Sequence, residues 1–150
     1  MSVVASKRPA RRMAVVACMD ARLQPERVLG LEPGDAHVIR NAGGVITDDA
    51  VRSLLISQRL LGTEEIVLVH HTDCGMSMLD EAAQLREIEA ETGERPSFAL
   101  EAFGDVDDDV RESIARIRAS PFLRRTTWIR GLVYDVASGE LRVVAAGPHG

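Results

Sequence analysis

At 150 residues and a formal net charge of −5, the chain has the length of about one domain and can bury a core without a disulfide scaffold. Hydrophobic residues make up 45% but aromatics only 3%, so the core is expected to be aliphatic, and base-stacking platforms for single-stranded nucleic acid are not expected. Lys7, Arg8, Arg11 and Arg12 precede any acid, leaving 14 basic against 23 acidic residues, or −9, for the rest; so acidic a body argues against duplex DNA as a partner.

Residues 1–12 therefore read as a flexible basic tail and 13–150 as one domain. No segment approaches the ~18–20 apolar residues of a membrane span, and the run from Met13 to Ala17 is too short for a signal sequence. A soluble cytoplasmic protein with no membrane partner is expected. Two cysteines 56 positions apart fit a reducing compartment, where they serve metal or catalysis more often than a disulfide.

Met13–Cys18 (MAVVAC) is predicted as a fully buried strand. Pro25 opens a short helix, PERVLG, which Gly30 closes. Ala36–Arg40 is the second strand, and an Asn-Ala-Gly-Gly turn follows at 41–44. Thr47 is placed to cap a helix whose first turn carries Asp48 and Asp49, and Gly62 stops it. Glu65–His71 (EIVLVHH) is a third buried strand, and residues 76–90 carry a helical pattern through Met76, Leu79, Ala83 and Ile88. Residues 91–104 read as a loop. Val106, Val110, Ile114 and Ile117 mark an amphipathic helix that ends at Ser120-Pro121. Thr127–Val136 and Glu140–Val144 form two strands joined across Ser138-Gly139, a hairpin.

Strands alternating with helices predict an α/β fold: a mainly parallel sheet with helices on both faces and a C-terminal antiparallel edge hairpin. In such sheets ligands bind outside the carboxyl ends of the strands. Cys18, Asn41 and His71 each fall at such an end.

The chemistry-bearing segments are ACMDARL at 17–23 and HHTDCGM at 70–76. Cys18 with His71 and Cys74 makes two thiolates and one imidazole, the donor types zinc takes, with a fourth position left for chemistry. Asp20 is near enough in sequence to close that position. His70 is the rival to His71, but adjacent strand residues face opposite ways, and the H-x-x-C spacing favours His71. A helix start at Cys74 would favour its thiolate. Singly, each of these residues has an ordinary structural role; their meeting at three strand ends points to a metal. Two other readings fail on spacing. A cysteine phosphatase needs arginine six positions after the nucleophile, where Gln24 stands, and the stretch after the first strand has no glycine for a dinucleotide loop.

The C-x-D-x-R segment at 18–22, RNAGG at 40–44 and HTDCG at 71–75 together resemble the β-class carbonic anhydrases, most of all short bacterial members, over Met13 to the final hairpin. The resemblance implies Cys18, His71 and Cys74 as zinc ligands and Asp20 with Arg22 as a catalytic dyad. Asp20 in this family either pairs with the arginine or binds the metal. It further implies zinc-dependent reversible hydration of carbon dioxide to bicarbonate, in a homodimer or dimer of dimers with sites near the subunit boundary. Only about twelve residues precede the first strand, too few for the helical arm with which family members embrace a partner. Within this reading the thiolate binds, the carboxylate orients, and the guanidinium holds the carboxylate ionised and off the metal. Asn41, Gly43 and Gly44 either supply backbone near the site or simply make a tight turn. The alternatives are a carbonyl sulfide or carbon disulfide hydrolase on the same scaffold, and a zinc-stabilised binding protein without catalysis.

Overall fold

The computed structural model describes residues 7–147. Five strands, β1 (Met13–Cys18), β2 (Ala36–Asn41), β3 (Glu65–His71), β4 (Trp128–Tyr134) and β5 (Leu141–Ala145), form one sheet in the order β2-β1-β3-β4-β5. β1 pairs in parallel with β2 and β3, and β3 with β4; β5 returns antiparallel along β4. The α/β architecture with an antiparallel edge is the one expected. The chain steps from β1 outward to β2, then crosses back to the other side of β1 to lay down β3. Chain order thus reverses between β1 and β3, where the carboxyl ends of an open sheet leave a crevice.

Both faces of the central strands are apolar, which is why β1 and β3 read as unbroken hydrophobic runs. On one face Ala14, Val16, Ile66, Leu68, Ile129 and Val133 pack against Leu54 of α2 (Asp48–Leu61) and against Val110, Ile114 and Ile117 of α4 (Val106–Ala119). On the other, Met13, Val15, Ala17, Val67, Val69 and Leu132 pack with Leu23, Val28 and Leu29, the last two from α1 (Pro25–Leu29), and with Met76 and Phe103. Each large aliphatic side chain so buried contributes roughly 1.5–3 kcal/mol relative to exposure. Gly131 of β4 lets α4 lie close: a Cβ there would collide with Val110.

The helix ends follow local chemistry. Thr47 accepts from the Ala50 amide at 3.2 Å and Gly62 ends α2 at φ +75°. Asp105 caps α4 through the Asp108 amide at 2.9 Å. The expected helix over 76–90 is displaced. Residues 75–77 make a single 3-10 turn, and α3 spans Glu81–Thr92, capped by Asp80 and ended by Gly93. Leu79 lies before it and none of its own residues is buried, so Ala83 and Ile88 mark no core face, and the following loop starts two residues later than expected. The Asp80 side chain, accepting from Ala83 at 3.1 Å, sets the start.

Of the basic tail expected over 1–12, residues 1–6 lie outside the described residues. Ala10 and Arg11 donate to the Gly34 and Asp35 carbonyls, and the Arg12 carbonyl accepts from Glu64 and Glu65. No helix of the described residues is long and apolar enough to cross a membrane.

Candidate metal centre

Cys18 is the last residue of β1 and His71 the last of β3; Cys74 follows three residues on, at the head of the 3-10 turn. All three are buried, and one donor atom from each lies within 4.8 Å of the others. Zn–S and Zn–N bonds of about 2.0–2.3 Å put tetrahedral donors about 3.5 Å apart, so the set is sized for one ion. The imidazole is oriented for that role. His71 Nδ1 lies 2.7 Å from the Thr72 carbonyl oxygen; a carbonyl only accepts, so Nδ1 carries the hydrogen. In the neutral ring Nε2 is then a bare lone pair, and it is buried without a hydrogen-bond partner among the described residues. An orphaned buried nitrogen beside two sulfurs fits a zinc ion, which would take up that lone pair.

The electrostatics divide the thiols. Cys18 is pulled down to about 4 by the neighbouring Cys74 thiol, against the opposing effect of burial, with help from His71 and the backbone at Asp20 and Gly43. Cys74 moves upward because its thiol hydrogen-bonds to the Cys18 sulfur, and burial adds to the effect. A metal taking both sulfurs must displace any proton they carry. Burial lowers the pKa of His71, but Cys18, the Thr72 carbonyl and Asp20 outweigh it and raise the value overall.

Asp20 and Arg22 stand at the rim of this cluster. Arg22 grips both oxygens of Asp20, Nε to Oδ1 at 3.0 Å and Nη2 to Oδ2 at 2.8 Å, and its own amide donates to Oδ1 at 2.8 Å. These bonds hold the Asp20 carboxyl well below the usual carboxylate range. Asp20 Oδ2 lies 3.7 Å from His71 Nε2. Of the two positions open to Asp20, the structure has it on the arginine, outside the three-donor set.

Two residues not singled out in the sequence shape this corner. Arg40, from β2, donates twice to the Cys18 carbonyl, at 3.0 and 2.8 Å, and once each to the carbonyls of Asp20 and Leu23, both at 2.9 Å. One guanidinium therefore fastens the whole 18–23 segment. Asp73 accepts from Arg22 Nη1 at 3.0 Å, and its carbonyl accepts from Nη2 at 3.0 Å. The RNAGG segment resolves into distinct tasks. Asn41 closes the turn on Val45 with two bonds of 2.9 Å, and Gly44, at φ +64°, backs onto Cys18 so closely that a Cβ would meet its nitrogen at 2.8 Å. His70 faces the other side of the sheet, as alternation requires, with Nε2 2.7 Å from Asp109 of α4.

Residues 13–141 match the family model described as carbonic anhydrase. Beta-carbonic anhydrase 1 of Mycobacterium tuberculosis is 54% identical over 136 residues, covering 91% of this chain and 83% of that protein. A carbon disulfide hydrolase of Acidithiobacillus thiooxidans is 37% identical over 153 residues, covering 88% and 76%. Among solved structures, a carbonic anhydrase from Streptococcus mutans superposes with a TM-score of 0.90 at 40% identity, covering 97% of this chain and 88% of that one. With the family model spanning most of its length and a relative this similar, the chain belongs to the β-carbonic anhydrase family.

Proposed function

We propose that this protein is a zinc-dependent carbonic anhydrase that interconverts carbon dioxide with bicarbonate and a proton. Cys18, His71 and Cys74 hold the metal, and Asp20 and Arg22 are its catalytic pair. The observation that carries this reading is the buried, unpartnered Nε2 of His71 beside two cysteine sulfurs, with an arginine-held carboxylate at the rim.

A zinc ion supplies Lewis acidity, which brings the pKa of water towards the neutral range. Two thiolates cancel its formal charge and weaken that effect, so the surrounding side chains carry more of the task. Asp20, ionised and therefore acceptor-only, takes a hydrogen bond from the reacting water and turns the water's lone pair towards the substrate carbon. Arg22 keeps that carboxylate ionised and drawn back from the three donors. Arg40 fixes the backbone carrying Cys18 and Asp20, so that the carboxylate is aimed before substrate arrives.

The same reading has the protein in the cytoplasm, where Cys18 and Cys74 stay reduced, as a homodimer or dimer of dimers. Met19 and Met78, exposed on the two segments that carry the donors, support a site whose wall a partner subunit completes. Carbon disulfide hydrolysis is the second reading, favoured by the relative of that name.

Stopped-flow carbon dioxide hydration by protein of verified zinc content, from pH 6 to 9, decides between them beside sulfide release from carbonyl sulfide and carbon disulfide. Hydration that climbs towards alkaline pH, with little sulfide, is expected. A flat profile on fully loaded protein would refute the mechanism, and sulfide release outpacing hydration would transfer the assignment to the second reading.

A further inference from the structure

The donors come from two separate segments, and the bonds that hold each segment point away from the other. The Cys18 segment is fastened by Arg40 towards β2. The Thr72–Met78 segment is fastened towards β4 and the 103 region: the Thr72 amide donates to Tyr134, the Val136 amide to Thr72 Oγ1, and the Phe103 amide to Met76. Among the described residues, and apart from the thiols themselves, the hydrogen bonds that join the two segments come from Arg22. Its Nη1 reaches Asp73 Oδ2 and its Nη2 the Asp73 carbonyl, both at 3.0 Å. Asp73 stands immediately before Cys74, at φ +52°, a left-handed backbone that aspartate adopts more readily than most residues with a Cβ.

We propose that Arg22 and Asp73 form a cross-segment brace that presets the distance between Cys18 and Cys74, making Asp73 a positioning residue for the metal donors. The proposal rests on the metal-centre reading above and extends it: Arg22 then grips Asp20 on one side and the Cys74 segment on the other. An ordinary exposed ion pair is worth little because two free side chains must be immobilised to make it. Arg22 is already immobilised by its two-point grip on Asp20, so the bonds to Asp73 demand little further ordering.

The test compares zinc release from full-length wild type, Asp73→Asn, Asp73→Gly, Arg22→Ala, the Arg22→Ala/Asp73→Asn double variant and Asp107→Asn, using excess 4-(2-pyridylazo)resorcinol as the chelator. Asn and Gly both tolerate the left-handed backbone, so these variants remove the carboxylate and spare the conformation. Loss of a group that orients metal ligands typically weakens metal holding 10–100-fold, so release about tenfold faster or more is expected from both Asp73 variants. The double variant should release no faster than Arg22→Ala, because loss of the guanidinium already removes the bond that the Asp73 carboxylate makes. Asp107→Asn breaks a two-point pair that ties α4 to β5 and includes no bond to either donor segment, and is expected to lower the melting temperature without changing release.

Wild-type release from Asp73→Asn and Asp73→Gly, or equal acceleration by Asp107→Asn, would overturn the brace. Urea midpoints of wild type, the two single variants and the double, as purified and at whatever metal content, separate its failure from failure of the metal reading. Coupling between Arg22 and Asp73 in protein that holds no zinc would leave the brace standing and remove the metal centre; strictly additive midpoints would remove the brace.

Discussion

Gly44→Ala tests how tightly the 40–44 turn is built against the metal-binding end of β1. The added Cβ would lie 2.8 Å from the Cys18 nitrogen and 3.0 Å from the Ala17 carbonyl carbon. Both are backbone atoms, so no side chain can swing aside. Ordinary contact begins at 3.4 Å, which means about 0.6 Å must come from displacing the turn or the end of β1. The left-handed backbone, at φ +64°, adds its own cost of about 1–2 kcal/mol for alanine, and overpacking adds about 1–3 kcal/mol. Together these amount to roughly 2–5 kcal/mol. At about 2–4 °C per kcal/mol for a domain of this length, the melting temperature should fall by about 4–20 °C. Gly93→Ala separates the two costs, because Gly93 is also left-handed, at φ +80°, yet a methyl group there would meet nothing within 4 Å. It should lose only the conformational part, about 2–8 °C. The excess in Gly44→Ala falls on the residue carrying a donor, so zinc per chain after dialysis should drop in that variant and stay full in Gly93→Ala. Equal melting temperatures and equal zinc contents in the two variants would refute the close packing of Gly44 on Cys18.

Arg22→Ala removes both grips on the Asp20 carboxylate, and carbon dioxide hydration should fall about 10–100-fold. Arg22→Lys should recover little, since one ammonium cannot span both carboxylate oxygens; wild-type turnover in either variant would take Arg22 out of the mechanism. Acid stability follows from Asp107. Arg142 beside it holds its carboxyl below the ordinary value, against a smaller opposing effect of burial. A depressed folded pKa contributes stability that is fully present above the unfolded carboxyl value near 3.8 and lost as pH falls through the folded one. Melting temperatures taken from pH 6 down to pH 3 should therefore decline below about pH 4, and Asp107→Asn should flatten part of that decline; an unchanged slope would count against the Arg142 pairing.

Much of this was legible in the residues because the fold repeats one simple pattern. β1 and β3 are buried on both faces, so they stand out as apolar runs, and the polar residues that interrupt them mark the carboxyl ends. Thr47 and Gly62 delimit α2 in the sequence because capping is local chemistry. The start of α3 is not legible in the same way: Met76 meets the core from the 3-10 turn and Leu79 stands outside any helix, so their helical spacing misleads, while the single cue that sets the start, Asp80, is one side chain. Arg40 and Asp73 are hidden for a different reason. Arg40 spends its guanidinium on backbone carbonyls up to 22 positions away, and Asp73 meets an arginine 51 positions away. Neither contact leaves a periodic or spacing signal. Gly44 carries a signal, the glycine itself, but only the close approach to Cys18 distinguishes packing from turn geometry.

The consecutive histidines at the end of β3 have a consequence for how the chain finds its alignment. Ile66 and Leu68 face one layer and Val67 and Val69 the other, so sliding this strand by one residue would still bury hydrocarbon on both sides. Oil alone scarcely tells the two settings apart. The polar termini do: Glu65 meets Arg130 at 2.7 Å, His70 meets Asp109 at 2.7 Å, and a slip would send His70 towards the sulfurs and His71 towards the helix. His70 thereby acts as a keying residue, penalising the one misalignment that the apolar middle of the strand would tolerate.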